Sequence, residues 1–341
     1  MEEPWAGAGV WGGRAGAASA QSRRYRVRRT LGGGAFGEVL LAEDTQAAGA
    51  AKTVALKRVF VRGEHRHHAG PTHTLPENVM REVMTCLAVD HANVVRVSDF
   101  FVEGAMLNIV FEYCPTSLGD LVQRHAGAFG RAEVKCIMQQ LLRGVRACHR
   151  TGVLHRDIKP WNVMLTEDGA VKVADFGLAR MADPSSSAAR PAYTHTVATR
   201  WNRAPELLYG AREYGAAVDV WSVGCILVEL LIGCPMVPGE TDIEQLGKVL
   251  QIFGPADEAT WPGVSALPDF DKITFGHIEH TALADLYPAV PAAEMAFALK
   301  LLALNPADRI SAEDALLDDY FFLDPLPDAG RAALAARCRA A

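Results

Sequence analysis

The sequence predicts an α+β fold in two lobes, an N-terminal lobe built on an antiparallel sheet and a larger, mainly helical C-terminal lobe. Three observations predict it. Short β-branched and apolar runs crowd the first part of the chain. After Pro115 they give way to long stretches with helical periodicity. Finally, 341 residues of which 50% are hydrophobic and 22% charged, with near-average Gly and Pro, can bury two sizeable cores. The expected organisation is a disordered Ala/Gly-rich leader at 1–23, a folded domain at 24–322 with lobes at 24–113 and 114–322, and a C-terminal tail at 323–341. A cleft between the lobes is where a ligand is expected.

Taken in order, the leader lacks either secondary-structure period and is excluded from the fold. Arg23, Arg24, Arg26, Arg28 and Arg29 interleave with Tyr25, Val27 and Leu31, which favours a solvated strand face over a sorting signal. Residues 38–42, 53–61, 94–101 and 107–112 read as strands. Val79, Met80, Val83, Met84 and Leu87 form a helical stripe, opened by Thr74 and Glu77 at capping-box spacing. Between these signals, 62–73 carries His65, His67, His68 and His73 with no carboxylate or Cys grouping, so a solvated, mobile loop is favoured over a metal site. Arg131–Arg150 and 218–231 read as helices, 183–190 as a polar insertion, and 329–341 as a frayed Ala-rich helix or tail.

A net charge of −6 argues against a general nucleic-acid or membrane-surface binder. The seven cysteines have no metal-ligand spacing and read as reduced thiols of an intracellular protein. The longest apolar run, 220–237, is broken by Ser222, Glu229 and Pro235, and reads as a buried helix rather than a membrane span. No hydrophobic signal region opens the chain, which implies cytoplasm or nucleus.

Chemistry first shows at Leu31-Gly32-Gly33-Gly34-Ala35-Phe36-Gly37-Glu38-Val39, a glycine-rich turn between strands where backbone amides can approach phosphates. Alone it is no more than a hairpin. In Thr53-Val54-Ala55-Leu56-Lys57, however, a lysine lies inside an apolar strand and needs anionic partners. Glu82, beside the stripe of the expected helix, is the natural protein partner and a nucleotide phosphate the other. His155-Arg156-Asp157-Ile158-Lys159-Pro160-Trp161-Asn162 follows, then Asp175-Phe176-Gly177 and Ala204-Pro205-Glu206.

With this ordered set the sequence resembles the eukaryotic protein kinases over residues 24–322. The resemblance implies the bilobal protein kinase fold and transfer of the ATP γ-phosphate to Ser/Thr of protein substrates. It implies that Asp157 accepts the hydroxyl proton, Lys159 steadies the γ-phosphate, Asn162 and Asp175 hold Mg²⁺, and Lys57, paired with Glu82, grips the α/β-phosphates. It further implies a nucleotide site from Leu31 to Val39 with Ala55, a gatekeeper at Phe111, and a hinge at Glu112, Tyr113 and Cys114. Cys114 reads as a small apolar contact rather than a reactive thiol. Asp219 is similar to the family's anchor of the catalytic loop, and Arg309 to the partner of Glu206.

The segment Tyr193-Thr194-His195-Thr196-Val197-Ala198-Thr199-Arg200-Trp201 resembles that of the cyclin-dependent kinases, within the CMGC group, and Thr194 falls at their activating phosphosite. Arg81, Arg156 and Arg180 match the phosphate-binding arginines, a switch set by charge. Thr196 disfavours the Thr-x-Tyr pattern of a mitogen-activated kinase. Runs at 209–219 and 239–246 are most similar to the cell cycle-related kinase subgroup, which adds the cilium as a location. The expected partners are substrates with Ser/Thr-Pro sites, read by Val197, Ala198 and Arg203, an upstream activating kinase, and a cyclin or cyclin-like activator. The helix at 76–82 shares only its proline and final Arg-Glu with the best-known cyclin-contacting version. Ala35-Phe36 removes the family's inhibitory Thr-Tyr, while Trp161 and Asn202 depart from its usual residues. A pseudokinase scaffold is the rival reading, and the intact set of Lys57, Glu82, Asp157, Asn162 and Asp175 speaks against it.

Overall fold

The computed structural model describes residues 23–340 except 35–36, 61, 65–71, 75–76, 126–127, 182–199 and 277. The leader, the glycine-loop tip, His65, His67 and His68, the 183–190 insertion and Thr194, Val197 and Ala198 therefore lie outside the described residues. The chain forms two units, one running to Met80 and resuming at Val97–Tyr113, the other comprising Arg81–Arg96 and the chain from Cys114 onward.

The first unit is an antiparallel sheet. Its strands are β1 (Tyr25–Gly34), β2 (Gly37–Asp44), β3 (Thr53–Phe60), β6 (Val97–Glu103) and β7 (Met106–Glu112), in the order β1-β2-β3-β7-β6. Alternation supplies its core: Leu40 and Ala42 on β2 and Val54 and Leu56 on β3 point to one face, where they meet Tyr25, Phe101 and Val110. Tyr25 stacks on Phe101 at 5.7 Å between ring centroids and donates to Asp99 at 2.9 Å. The arginines of β1 are largely exposed and Arg24 is tied to Asp44 at 2.6 Å, as a solvated strand face requires. The stretch expected as a loop is framed by a small hairpin, β4 (Arg62–Glu64) paired with β5 (Thr72–Thr74).

Two expectations need correction. Val94 and Val95 do not join the sheet; they belong to the second unit, where Val95 donates its backbone N–H to Val173 at 2.8 Å. The β-branched run alone could not reveal that its first residues change partners. Helix α1 (Glu77–Ala88) forms, but its stripe is split. Val79, Val83 and Cys86 are buried, whereas Met80, Met84 and Leu87 are about half exposed.

The second unit opens with β8 (Thr116–Ser117) and α2 (Leu118–His125). The long α3 (Arg131–Arg150) starts where the Glu133 carboxylate accepts from Gly130 N–H at 2.7 Å. Three short strand pairs follow among β9 (Val153–Leu154), β10 (Val163–Leu165), β11 (Val171–Val173) and β12 (Arg180–Met181): β10 with β11 and β8, and β9 with β12. Beyond them come α4 (Pro205–Leu208), α5 (Ala217–Ile232), α6 (Asp242–Phe253), α7 (Leu283–Leu286), α8 (Ala292–Leu301), α9 (Ala312–Ala315) and α10 (Arg331–Ala340). Helix α5 is apolar nearly all round and buried from Val218 to Val228, which makes it the axis of this unit. Among the described residues no helix is long and apolar enough to cross a membrane.

Of the frayed Ala-rich helix or tail expected at 329–341, the helix forms but is docked rather than frayed. Helix α10 packs through Leu334, Ala335 and Cys338, all buried, and Arg337 pairs with Glu133 of α3 at 2.6 Å. The approach is close at Gly330, where a Cβ would collide with the Ala132 carbonyl. Six of the seven cysteines are buried, and burial pushes the thiols of Cys338 and Cys148 up to about 11 and about 12.

Candidate active site

Between β9 and β10 the chain makes an irregular loop, and a buried carboxylate holds it. Asp219, near the start of α5, accepts from His155 N–H at 2.9 Å, from Arg156 N–H at 2.7 Å and from the His149 ring at 2.9 Å. Burial alone would push its carboxyl up, but the His149 hydrogen bond, the two histidines and the Arg156 amide outweigh it and hold the group below its usual range. Arg156 is thereby fixed at φ 67°, one of two non-glycine residues with positive φ among those described; the other is Asp175 at φ 64°. Such strain gathers where a side chain must be aimed. The His155 ring meets the Ala174 carbonyl at 3.0 Å and packs on Phe176 at 4.7 Å, tying this loop to the Asp175 turn.

The loop brings Asp157, Lys159 and Asn162 together. Oδ2 of Asp157 accepts from Lys159 Nζ at 2.7 Å and from Asn162 Nδ2 at 2.9 Å. Asn162 Nδ2 also donates to the Asp157 carbonyl at 2.8 Å. Oδ1 of Asp157 is buried with no hydrogen-bond partner among the described residues. A buried carboxylate oxygen left so is an acceptor that lacks only a proton donor. Asn162 is linked through its carbonyl to Ala174 N–H at 2.9 Å, which puts it beside exposed Asp175. With its nitrogen committed to Asp157, Asn162 keeps an amide oxygen, and Asp175 offers a carboxylate. Both are hard oxygen donors of the kind Mg²⁺ takes. Among the described residues no three His, Cys, Asp or Glu side chains group to hold a metal alone.

The described residues of the first unit that were expected at a nucleotide lie on its sheet. Leu31, Gly32 and Gly33 end β1, with Gly32 opposite Val39, Gly33 opposite Glu38 and Gly34 opposite Gly37. Gly37 has φ 154°, and a Cβ there would run into the Arg58 carbonyl, so the hairpin requires glycine. Lys57 on β3 lies between Val39 and Ile109, and Ala55 lies opposite buried Phe111. Glu112 ends β7. Cys114, where the chain returns to the second unit, is buried, as is Glu82 in that unit's part of α1.

Two of the three arginines singled out in the sequence reach one turn of chain. Arg81 donates to the Gly177 carbonyl at 3.3 Å and Arg156 to the Leu178 carbonyl at 2.6 and 2.8 Å, while Arg180 follows two residues later on β12. Sequence reasoning missed Tyr214, whose hydroxyl takes a hydrogen bond from Arg156 at 2.7 Å, and Asp242, which binds Arg200 at 2.5 Å and Arg203 at 3.1 Å. Burial holds the Arg203 guanidinium below its usual range, and Asp242 opposes that. No residue pattern announces these contacts, because each joins distant parts of the chain. Asn202 is buried, and its carbonyl accepts from Ser222 at 2.7 Å. The Glu206–Arg309 pair expected from sequence is bidentate, at 2.6 and 2.7 Å.

Comparison with known proteins agrees with this geometry. The protein kinase domain family matches residues 25–321. Cyclin-dependent kinase 20 of Danio rerio is 40% identical over 305 residues, covering 89% of this chain and 85% of its own. Cyclin-dependent kinase D-1 of Oryza sativa subsp. indica is 35% identical, with coverages of 89% and 68%. Among solved structures, a chain of the CAK complex of Chaetomium thermophilum bound to ATP-gamma-S matches with a TM-score of 0.77 at 34% identity, over 90% of this chain and 94% of that one. The chain belongs to the protein kinase family, in its cyclin-dependent, serine/threonine-specific branch.

Proposed function

We propose that the protein transfers the γ-phosphate of ATP to Ser or Thr residues followed by Pro in protein substrates, and that phosphorylation of Thr194 activates it. The observation that carries this reading is Oδ1 of Asp157, an orphan acceptor beside a lysine. The substrate hydroxyl bonds to the γ-phosphorus as its proton passes to Asp157, and the bond to the β-phosphate oxygen breaks to release ADP. Lys159 keeps positive charge next to that transfer. Lys57 and the amides of the glycine hairpin address the phosphates, and the backbone at Glu112 and Cys114 the adenine. Asn162 and Asp175 would hold Mg²⁺, which when bound supplies positive charge against the phosphate oxygens. The CAK neighbour solved with ATP-gamma-S supports the nucleotide.

Arg81 and Arg156 meet at 177–178 with Arg180 two residues on, and a phosphate dianion on Thr194 relieves the repulsion among these cations. Arg203, with Val197 and Ala198, reads the proline. Helix α1 offers an activator of the cyclin type an exposed apolar row at Met80, Met84 and Leu87.

The test is phosphate transfer to a Ser-Pro peptide and its Ser-Ala counterpart, with unphosphorylated and Thr194-phosphorylated protein, with and without added cyclins. Transfer that needs Pro, rises with phospho-Thr194 and vanishes in Asp157→Asn supports the reading. Equal rates on the two peptides would remove the proline preference, and no transfer under any condition the whole reading.

A further inference from the structure

Trp161 is the one large apolar side chain of the catalytic loop that the fold does not bury. Ile158, Pro160 and Val163 around it are buried, whereas Trp161 is 47% exposed. Its indole is nevertheless built in. A Cβ on Gly119 of α2 would come within 2.5 Å of Cδ2 and 2.8 Å of Cε2 and Cε3, so the ring lies flat against a helix backbone that only glycine leaves open. Helix α2 therefore backs one part of the ring while the rest faces solvent. Trp161 directly precedes Asn162, which with Lys159 holds Asp157, so a peptide presenting its hydroxyl to Asp157 passes within a few residues of the indole.

We propose that Trp161 is a specificity-determining residue whose exposed indole face receives an arginine of the protein substrate, close in sequence to the phospho-acceptor. The inference rests on the kinase reading above and names one substrate feature. A guanidinium can lie on a half-open aromatic face while its edge stays hydrated, gaining attraction from the ring quadrupole as well as contact area. An aliphatic side chain gains only the area. The net charge of −6 favours approach of a basic segment.

The experiment scans a Ser-Pro peptide, placing Arg, citrulline, Leu or Ala in turn at each of the four positions before the acceptor. Wild type, Trp161→Gln and Trp161→Phe are compared. At one position Arg raises kcat/KM over citrulline by about two- to five-fold, mainly through KM. Trp161→Gln erases that preference and Trp161→Phe keeps part of it, the preference being read as the ratio of Arg to citrulline peptide within each protein. The exchange of Arg for citrulline in the peptide tests the proposal in wild type alone, whatever the variants do to folding. The proposal is overturned by equal rates for Arg and citrulline at every position, by a stronger preference for Leu, or by an Arg preference that survives Trp161→Gln. Wild type that phosphorylates no peptide at all instead removes the kinase reading, and the proposal with it.

Discussion

Asp157 shows how much one residue depends on its neighbours' hydrogen bonds. One carboxylate oxygen is held by Lys159 and Asn162, and the other is left bare. Asp157→Asn preserves the shape but puts an NH₂ group either against the two donors or in place of the bare acceptor. The expected result is a fall in kcat of about 10²–10⁴-fold with little change in thermal midpoint, read by phosphate transfer and a melt on the same sample. Activity within a few-fold of wild type would show that the bare oxygen is not the base. This residue was legible in sequence because Asp157, Lys159 and Asn162 lie on one short loop whose spacing survives folding. Tyr214 and Asp242 were not legible, since their value comes from Arg156 and Arg203, residues far away in the chain. Trp161 was visible as a departure, but only Gly119 beneath it shows that the ring is fixed.

At the scale of elements, periodicity located what was long and missed what was short. Helices α3 and α5 stand within a residue of the positions expected, because 16 or 20 residues of apolar pattern leave no other period to fit. Helix α10 was expected only as a frayed Ala-rich helix or tail, because its run carries one Leu and one Cys and is too short to hold on propensity alone; docking orders it. What holds it can be weighed. Leu334 is fully buried, so Leu334→Ala is expected to cost about 2–5 kcal/mol in urea unfolding. The Arg331–Asp168 pair is 42% and 73% exposed, so Asp168→Asn should cost less than about 1 kcal/mol. The reverse ranking would mean that ion pairs, not apolar burial, fasten the helix. Helix α1 invites a different expectation, because a half-exposed row contributes little to its own fold. Met84→Glu and Leu87→Glu should leave stability within about 0.5 kcal/mol. Both should abolish stimulation by a cyclin that activates the wild type, and stimulation that survives both would move the activator elsewhere.

Across the whole molecule the two-lobed α+β reading came from an early-strand, late-helix order that a single sequence displays openly, whereas the balance of each charge with its neighbours appears only in three dimensions. Asp44, held by Arg24, and Asp168, held by Thr166, have carboxyls below their usual value near 3.8. Such groups add stability at neutral pH and lose it only as the medium falls below about 4. Glu229 on α5 works in the opposite sense: burial lifts it from 4.5 to about 7, so the folded state retains a proton that the unfolded chain releases. Below pH 4.5 both states are protonated and the group is neutral in its effect. Between 4.5 and 7 stability falls as pH rises, and above 7 a constant penalty remains, at most about 3.4 kcal/mol at 1.36 kcal/mol per pKa unit. Glu229→Gln removes this slope. Unfolding followed from pH 4 to 8 should show the variant gaining on wild type across that window and nowhere else. A constant offset from burying the amide leaves the slope difference untouched. Parallel stability curves for the two proteins would mean that Glu229 is ionised without cost in the fold.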